Sequence, residues 1–476
     1  MDMTHRKTQS PPIQGAKQGL QGQLSSRQIA MISIGGAIGA GLFVGSSNAI
    51  ATAGPAALIA YVVATGLVII IMKMLGEMAT SQPSTGSFSA YADVAMGRWA
   101  GFSIGWLYWW FYMLVVAIES IVAGNIIASW VGGPSWLYAM GAIVALTGCN
   151  CVSARTFGEA EYWLSLVKVV AIIAFIILGL AAILGVLPTV ERQSVHNLFD
   201  YGGFFPQGGF AVLAAFFIAI FSFQGCEIVT IAAAESDRPR RNIRKAIKAV
   251  LWRLGIFYIG SIFVATCTVP WNDPSLPTGT YQAALLHMHV PYAAEIMSLI
   301  VLTAVVSCLN SSIYTASRMT YSLSTRGDAP CSWSKTSASG APRMAVCCTS
   351  ACSFLVTIIN YTLPASFFNT LLATSGAVAL LMYLVIAITQ LRLRQIKERQ
   401  GIQLDVRMWL FPYLSIFTIA AIIAAFVGML LIPAHRIEVM ATLALAAVII
   451  AIGVYLQVTQ SALSAERARM TPPVAA

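Results

Sequence analysis

The chain has 476 residues, of which 58% are hydrophobic and 10% are charged, and its mean hydropathy is +0.77. Soluble domains carry about 25% charged residues, so the composition excludes a soluble protein and predicts an all-α integral membrane protein. The net charge of +10 does not indicate nucleic-acid binding, because the Lys and Arg residues concentrate in alternate predicted loops, as membrane topology requires.

Residues 1–27 are polar and rich in Gln, Ser and Gly, which is typical of a disordered tail and not of a cleavable signal peptide. Charge-free blocks follow. A block of about 20 residues accommodates one membrane-spanning helix, and a block above about 40 residues accommodates two. On this basis the sequence predicts twelve transmembrane helices within a transporter domain at 28–460, followed by a second tail at 461–476.

Basic residues define the predicted topology. They cluster before the first helix, at 238–253 and at 392–407, whereas the loops on the opposite side contain only Arg192 and Arg436. By the positive-inside rule, both termini are cytoplasmic.

The first predicted helix contains a glycine-rich stretch at 33–43. Each glycine costs about 1 kcal/mol relative to alanine in a helix, and irregular backbone at membrane depth is tolerated only where protein or a cavity covers it. Two interpretations are open. The N–H groups of Gly39, Ala40 and Gly41 bind a carboxylate at a half-helix end, or Gly35 and Gly39 form a GxxxG-type packing motif.

A second polar break, at 221–227, interrupts the sixth predicted helix. The two breaks occupy matching positions in two five-helix halves, at about 28–186 and 205–390. This pattern is typical of an inverted repeat with a binding site near the bilayer midplane. The last two predicted helices, 409–432 and 438–459, lie outside the repeat.

Ionisable residues within predicted spans are costly and mark function by default, and three of them are candidates for proton coupling or gating. Lys168, in the fifth helix, is a candidate for proton exchange; the alternative is that its ammonium snorkels to the interface. Glu227 either senses protonation, orders the second break or is buried for structure. Glu119 either partners Lys168 or caps a polar pocket.

The eighth predicted helix has a polar face, because Ser307, Ser311 and Thr315 recur at i, i+4 and i+8. This face either lines a cavity or joins helices. Arg318, near the inner end of the same helix, is expected to be a cytoplasmic anchor. No nucleophile, catalytic triad or metal cluster is recognisable at membrane depth, so the sequence does not favour an enzyme or a metal site.

Several motifs together resemble those of a known family. They are GGAIGAGLFVG (35–45), TGSFSAYA (85–92), GRWAG (97–101), IGWLYWW (104–110), EIVTIAAAESD (227–237), SCLNS (307–311), YTASRM (314–319) and RGDAP (326–330). They resemble the amino acid/polyamine/organocation superfamily and, within it, the bacterial γ-aminobutyrate permeases of the amino acid transporter family. The resemblance covers about 25–460.

This resemblance implies a LeuT-type fold with a 5+5 inverted repeat, broken helices 1 and 6, and two extra C-terminal helices. It implies a secondary transporter that imports an amino acid, here γ-aminobutyrate, with protons across the bacterial inner membrane by alternating access. The implied partners are a small amino acid and the lipid bilayer, without nucleic acid. No cofactor is implied besides the proton gradient, and no particular oligomeric state.

By the family pattern, backbone groups at the two breaks hold the substrate. The N–H groups that meet its carboxylate are those of Gly39, Ala40 and Gly41. The carbonyl groups that meet its amino group lie around Ile34, Phe221, Ser222 and Phe223. Phe221 is expected to close over the substrate, and Lys168 corresponds to the lysine of proton-coupled members, which stands where sodium-coupled relatives bind Na⁺.

Two other functions stay open. One is import of an α-amino acid, aromatic or proline-like, by the same fold. The other is an amino acid sensor that does not transport, although the short tails and the lack of a soluble signalling domain in the sequence favour transport. Gln224 and Cys226 stand where close relatives often have small or apolar residues, so we expect a different pocket shape there.

Overall fold

The structure is a computed structural model that describes residues 25–186, 195–236, 238–338, 340–364 and 366–470. Most of the predicted tail at 1–27 lies outside the described residues. The same is true of the last part, 471–476, of the predicted tail at 461–476.

The described residues form helices joined mostly by short turns. Up to residue 222 these are α1 (Ser26–Gly35), α2 (Ser46–Ala53), α3 (Ala57–Ser81), α4 (Ser87–Met96), α5 (Arg98–Val131), α6 (Ser135–Val152), α7 (Ala154–Leu184) and α8 (Gly209–Ser222). After residue 222 they are α9 (Ile228–Ala234), α10 (Pro239–Thr268), α11 (Thr280–His287), α12 (Ala293–Thr325), α13 (Arg343–Thr362), α14 (Ser366–Arg399), α15 (Tyr413–Leu431) and α16 (Pro433–Met470).

Within these ranges, 10 helical segments are long and apolar enough to cross a membrane. The predicted all-helical, multi-pass membrane protein is therefore confirmed, although the predicted number of twelve crossings exceeds this number. The predicted last two helices correspond to α15 and α16, and α16 continues to Met470, into the range predicted as a tail.

Helix α5 lies at the centre of the bundle. Most of its side chains from Ala100 to Gly124 are buried, and it packs against α4, α6, α12, α13, α14 and α16. A helix that is buried on all sides in this way forms the core of a membrane protein. The polar residues Ser103, Glu119 and Ser120 in this stretch therefore face other helices and not lipid.

Two interruptions in helical structure meet beside α5. The first interruption, residues 36–40, separates α1 from a wide helical turn at Gly41–Gly45 that leads into α2. The second interruption, residues 223–227, separates α8 from α9. A Cβ atom placed on Gly225 would lie 2.2 Å from the carbonyl oxygen of Gly36, and one on Gly41 would lie 2.6 Å from the Cα of Ser222. The two backbones therefore touch at positions where only glycine fits.

We expect Gly225→Ala to destabilise the protein. The φ angle of Gly225 is +106°, which disfavours a side chain, and overpacking against backbone typically costs about 1–3 kcal/mol. The apparent melting temperature of the purified protein in detergent should fall by several degrees. Gly66→Ala is the matched control, because a Cβ at Gly66 meets nothing within 4 Å and alanine favours the helix. Equal melting temperatures for the two variants would contradict the close approach.

Candidate functional site

The first interruption leaves backbone N–H and C=O groups without hydrogen-bond partners in a helix, and lipid offers no hydrogen-bond partners. Buried side chains from four other helices are the partners instead. The pairs are Tyr258 Oη with Ala37 O (2.7 Å), Lys168 Nζ with Ile38 O (3.0 Å), Glu119 with Ala40 N (3.0 and 3.1 Å) and Ser222 Oγ with Gly41 O (2.6 Å). The irregular backbone is thus held by specific hydrogen bonds.

Glu119 accepts a hydrogen bond from one of the three N–H groups predicted to bind the substrate carboxylate, that of Ala40. The N–H of Ala40 donates to the carboxylate of Glu119, whose oxygens lie 3.0 and 3.1 Å from the nitrogen. A Cβ on Gly39 would lie 2.5 Å from Oε1 of Glu119, so the glycine allows the carboxylate to reach the backbone. The first interruption therefore binds a carboxylate in this structure, and that carboxylate belongs to the protein itself.

Lys168 lies inside the bundle and not at the interface, since its side chain is 0% exposed. Its ammonium donates to Ile38 O at 3.0 Å and to Ser307 Oγ at 2.8 Å, and it lies 3.7 Å from Oε1 of Glu161. The same Glu161 oxygen accepts from Ser307 at 2.6 Å and from Ser165 at 3.0 Å. This buried network ties the first interruption to α7 and α12.

Glu227 holds the second interruption in place. Its Oε2 accepts the N–H of Gly225 at 3.1 Å, and its Oε1 accepts the hydroxyls of Tyr112 at 2.8 Å and Tyr108 at 3.2 Å. Among the roles considered for this residue, the geometry corresponds to ordering of the unwound backbone.

Tyr258 joins the two interruptions. Its hydroxyl oxygen lies 2.7 Å from the carbonyl oxygen of Ala37 and 2.6 Å from that of Ser222. Its ring stacks on Phe223, with the ring centroids 4.2 Å apart. One hydroxyl on α10 is therefore within hydrogen-bonding distance of both breaks.

Sequence reasoning did not assign a role to Glu161 or Tyr258. Glu161 precedes Lys168 by seven positions on one helix, which is about two turns and places both on the same face; that spacing was a usable signal. Tyr258 is a single tyrosine in an apolar stretch, and nothing in the sequence distinguishes it from a packing residue.

One small cavity separates the two interruptions from α5 and α12. It has a volume of about 10 Å³, about what one water molecule needs. The predicted site residues that line it are Gly39, Gly41, Glu119, Phe221 and Ser222, and the other lining residues are Gly36, Ala37, Phe111, Tyr112, Val115, Gln224 and Cys308. An amino acid can enter only if these walls move.

The other predicted site residues lie outside this lining. Ile34 lies in the last turn of α1, Phe223 packs behind the cavity on Tyr258, and Lys168 and Glu227 each hold backbone at one of the interruptions. Ala40 contributes its N–H group through the bond to Glu119 described above.

Arg318 is not the cytoplasmic anchor that was expected. Its side chain is 1% exposed and its Nε lies 3.3 Å from Oε1 of Glu235, a side chain that is itself 0% exposed. The guanidinium also lies over the ring of Tyr314, 3.9 Å from the centroid. The expectation was wrong because the partner, Glu235, is contributed by the segment after α9, remote in sequence.

The chain matches the family model described as "Amino acid permease" over residues 28–465. It is 52% identical over 425 residues to the gamma-aminobutyric acid permease of Escherichia coli strain K12. This match covers 89% of this chain and 91% of that protein. It is 38% identical over 420 residues to an aromatic amino acid transport protein of Corynebacterium glutamicum. This second match covers 87% of this chain and 90% of that protein.

Among solved structures, a manganese transporter of Eremococcus coleocola matches with a TM-score of 0.60 at 13% sequence identity, covering 91% of this chain and 93% of that chain. At this identity the likeness shows the fold alone, which is the LeuT-type transporter fold. The resemblance noted in the motifs is confirmed along most of the sequence: the chain belongs to the amino acid permease family.

Proposed function

We propose that the chain imports γ-aminobutyrate across the bacterial inner membrane by proton symport with alternating access. The observation that carries the proposal is the Ala40 N–H, which already binds a buried carboxylate 3.0 Å away beside a buried lysine. Such a site has the chemistry for an amino acid carboxylate and for an exchangeable proton. The substrate follows from the relatives, because the chain is more similar to the permease named for γ-aminobutyrate than to the one named for aromatic amino acids.

The proposed topology has twelve crossings and places both termini in the cytoplasm. Gly41–Ser81 is one of the 10 long apolar segments, and it is divided at Gly54, whose φ is +64° and which precedes Pro55. Helices α1 and α2 then make the first crossing and α3 the second. Helices α8 and α9 together make one more, which brings the total to twelve.

The proposed fold is a 5+5 inverted repeat, with α15 and α16 outside it. The two interruptions are then the breaks in helices 1 and 6, in equivalent positions of the two halves. Their direct contact, through Gly36 and Gly225, supports this assignment. Half-helix ends that meet near the midplane are the usual place for substrate and coupling ion in such transporters.

In this mechanism the substrate carboxylate takes the Ala40 N–H from Glu119 and also meets the N–H groups of Gly39 and Gly41. An ionised Glu119 competes for the Ala40 N–H and repels a second carboxylate, whereas protonated Glu119 does neither strongly. Proton binding at Glu119 and substrate binding at Ala40 therefore favour each other, and this linkage is reciprocal. Co-import of substrate and proton follows from it.

Lys168 supplies a fixed cation where its ammonium meets the carbonyl oxygen of Ile38. Unwound carbonyl groups of this kind coordinate the coupling ion in related folds. Phe221, which lines the cavity, closes over the bound substrate, with the substrate amino group near carbonyls of the second interruption. Glu227 keeps that interruption ordered while the walls move.

The substrate and the driving force are tested by uptake into proteoliposomes. Labelled γ-aminobutyrate should accumulate when the inside is made alkaline, and a protonophore should abolish the accumulation. Unlabelled phenylalanine, proline and lysine should compete poorly. If one of these α-amino acids competes more strongly than unlabelled γ-aminobutyrate, that α-amino acid and not γ-aminobutyrate is the substrate. Failure of the folded protein to take up any of them would contradict transport and favour a sensor.

Lys168→Ala should reduce gradient-driven uptake by about tenfold or more, since hydrogen bonds to a charged group are worth roughly 1.5–3 kcal/mol each. The measurement is initial uptake at matched amounts of protein in the membrane. Lys248→Ala, which removes an exposed lysine, is the control and should leave uptake unchanged.

A buried Glu161 without its ion-pair partner can also impair folding of the Lys168 variant, by roughly 3–5 kcal/mol. The double variant Lys168→Ala/Glu161→Gln removes that unpaired charge. It should reach the membrane and still lack gradient-driven uptake. Uptake with normal pH dependence in this double variant would contradict a coupling role for Lys168.

Glu119→Gln should separate exchange from accumulation. The neutral amide still accepts the Ala40 N–H through its oxygen but cannot carry a proton. Exchange of internal for external substrate should therefore persist, while accumulation driven by the pH gradient is lost. Glu159→Gln is the control, because the Glu159 side chain is 56% exposed. Normal gradient-driven accumulation by the Glu119 variant would exclude Glu119 as the coupling group.

A further inference from the structure

An apolar groove runs along the outside of the bundle between α3, α8 and α15. It has a volume of about 630 Å³, and the only polar residue in its lining is Thr418. The side chains of Val63 and Phe417, which also line it, are 54% and 65% exposed. In a chain that spans the membrane, apolar side chains exposed in this way face lipid.

Small residues leave the groove open. Gly66 lies in the middle of α3, and a Cβ placed on it would meet nothing within 4 Å. From α15 the lining includes Ala421, Ala424 and Ala425. The atoms that line an unfilled groove lose van der Waals contacts on that side, and an apolar chain lying over Gly66 would supply them.

The length of the groove matches the depth of one leaflet of a bilayer. Ala60 and Ile70, the first and last lining residues on α3, are ten positions apart, which is about 15 Å along the helix axis. The hydrocarbon core of a bilayer is about 30 Å thick, so each leaflet contributes about 15 Å. The groove therefore has the length and the polarity to hold an acyl chain.

A cation lies at one end of the groove. Lys73 follows Gly66 by seven positions on α3, about two turns, so it lies on the same face of the helix, one turn beyond Ile70. Its Nζ lies 5.1 Å from the centroid of the ring of Trp409, in the segment that leads into α15. Lys73 forms no ion pair with a carboxylate of the described residues.

The charges around Lys73 leave this end of the groove positive. Glu77, one turn further along α3, is already held by Arg394 at 3.0 Å. It also accepts the N–H of Met408, which places the segment before α15 against α3. Arg407, in the same segment, is exposed and adds a second cation. An ammonium has three hydrogen-bond donors, and the phosphate of a lipid headgroup is the anion that a membrane offers to basic residues at its surface.

We propose that this groove binds an anionic phospholipid, with an acyl chain over Gly66 and the headgroup phosphate at Lys73 beside Trp409. Tryptophan at the membrane interface and basic pockets between membrane helices are both typical of contacts with lipid headgroups. In the topology proposed above, this end of α3 is cytoplasmic, so the lipid belongs to the inner leaflet. The site lies apart from the two interruptions and does not depend on which substrate is transported.

The test measures binding of phospholipids to the purified protein by native mass spectrometry. Dioleoylphosphatidylglycerol is the anionic probe, and dioleoylphosphatidylcholine, which has the same acyl chains and a zwitterionic headgroup, is the reference. Gly66→Phe fills the groove from α3, and Ala421→Phe fills it from α15. Gly141→Phe is the matched control, because Gly141 is also exposed within a helix and a Cβ there meets nothing within 4 Å.

Two further variants test the headgroup contact. Lys73→Gln removes the cation at the end of the groove, and Lys245→Gln removes an exposed cation on α10. The melting temperature of every variant is measured without added lipid. Because Gly66 and Ala421 lie on different helices, a folding defect in one groove-filling variant leaves the other as the test, and Lys73→Gln changes no packing within the groove.

We expect the unaltered protein to bind the anionic lipid about tenfold more tightly than the zwitterionic lipid, as for a hydrogen bond between charged groups. Lys73→Gln should abolish this preference. Gly66→Phe and Ala421→Phe should weaken binding of the anionic lipid by about tenfold or more. Gly141→Phe and Lys245→Gln should leave its affinity unchanged.

Three outcomes would overturn the inference: equal affinity for the two lipids, unchanged affinity in the folded groove-filling variants, or equal losses in Lys73→Gln and Lys245→Gln. The third would mean that the basic surface as a whole attracts lipid, and not this site. If the groove-filling variants instead convert a dimer to a monomer and still bind the anionic lipid, the groove is the contact between two copies of the chain.

Discussion

The structure depends on one constraint: where the backbone is not helical inside the membrane, its N–H and C=O groups must still form hydrogen bonds. Each unpaired N–H or C=O group in hydrocarbon costs several kcal/mol, so the first interruption persists only because side chains complete its bonds. Glu119, Lys168, Tyr258 and Ser222 do so from four helices. This requirement explains why Glu119, Lys168 and Tyr258 place costly polar groups at the centre of the bundle.

The same requirement creates a site that can change state. A hydrogen bond between a backbone N–H and an ionisable carboxylate, as between Ala40 and Glu119, depends on the protonation of the carboxylate and can be exchanged for one to a ligand. The bonds to Ile38 and Ala37 come from an ammonium and a phenol, which do not compete with an incoming carboxylate. One end of the interruption is thus exchangeable while the other stays fixed.

Close approach of the two interruptions limits the volume of the site. With Gly36 against Gly225 and Gly41 against Ser222, the cavity between them is about 10 Å³. Packed interfaces of this kind have discrete arrangements and do not deform continuously. Substrate entry is therefore coupled to movement of whole helices, as the proposed alternating access requires.

The sequence by itself determined the all-helical membrane protein, the family and the two stretches where helical structure is interrupted, because hydropathy, glycine content and motif spacing are local properties of the chain. It also identified Glu119, Lys168 and Glu227 as costly charges. Only the tertiary structure decided their partners: Glu119 accepts the N–H of Ala40, Lys168 pairs with Glu161, and Glu227 accepts the N–H of Gly225. These pairings depend on how helices pack, and residues remote in sequence meet in ways that no local pattern specifies.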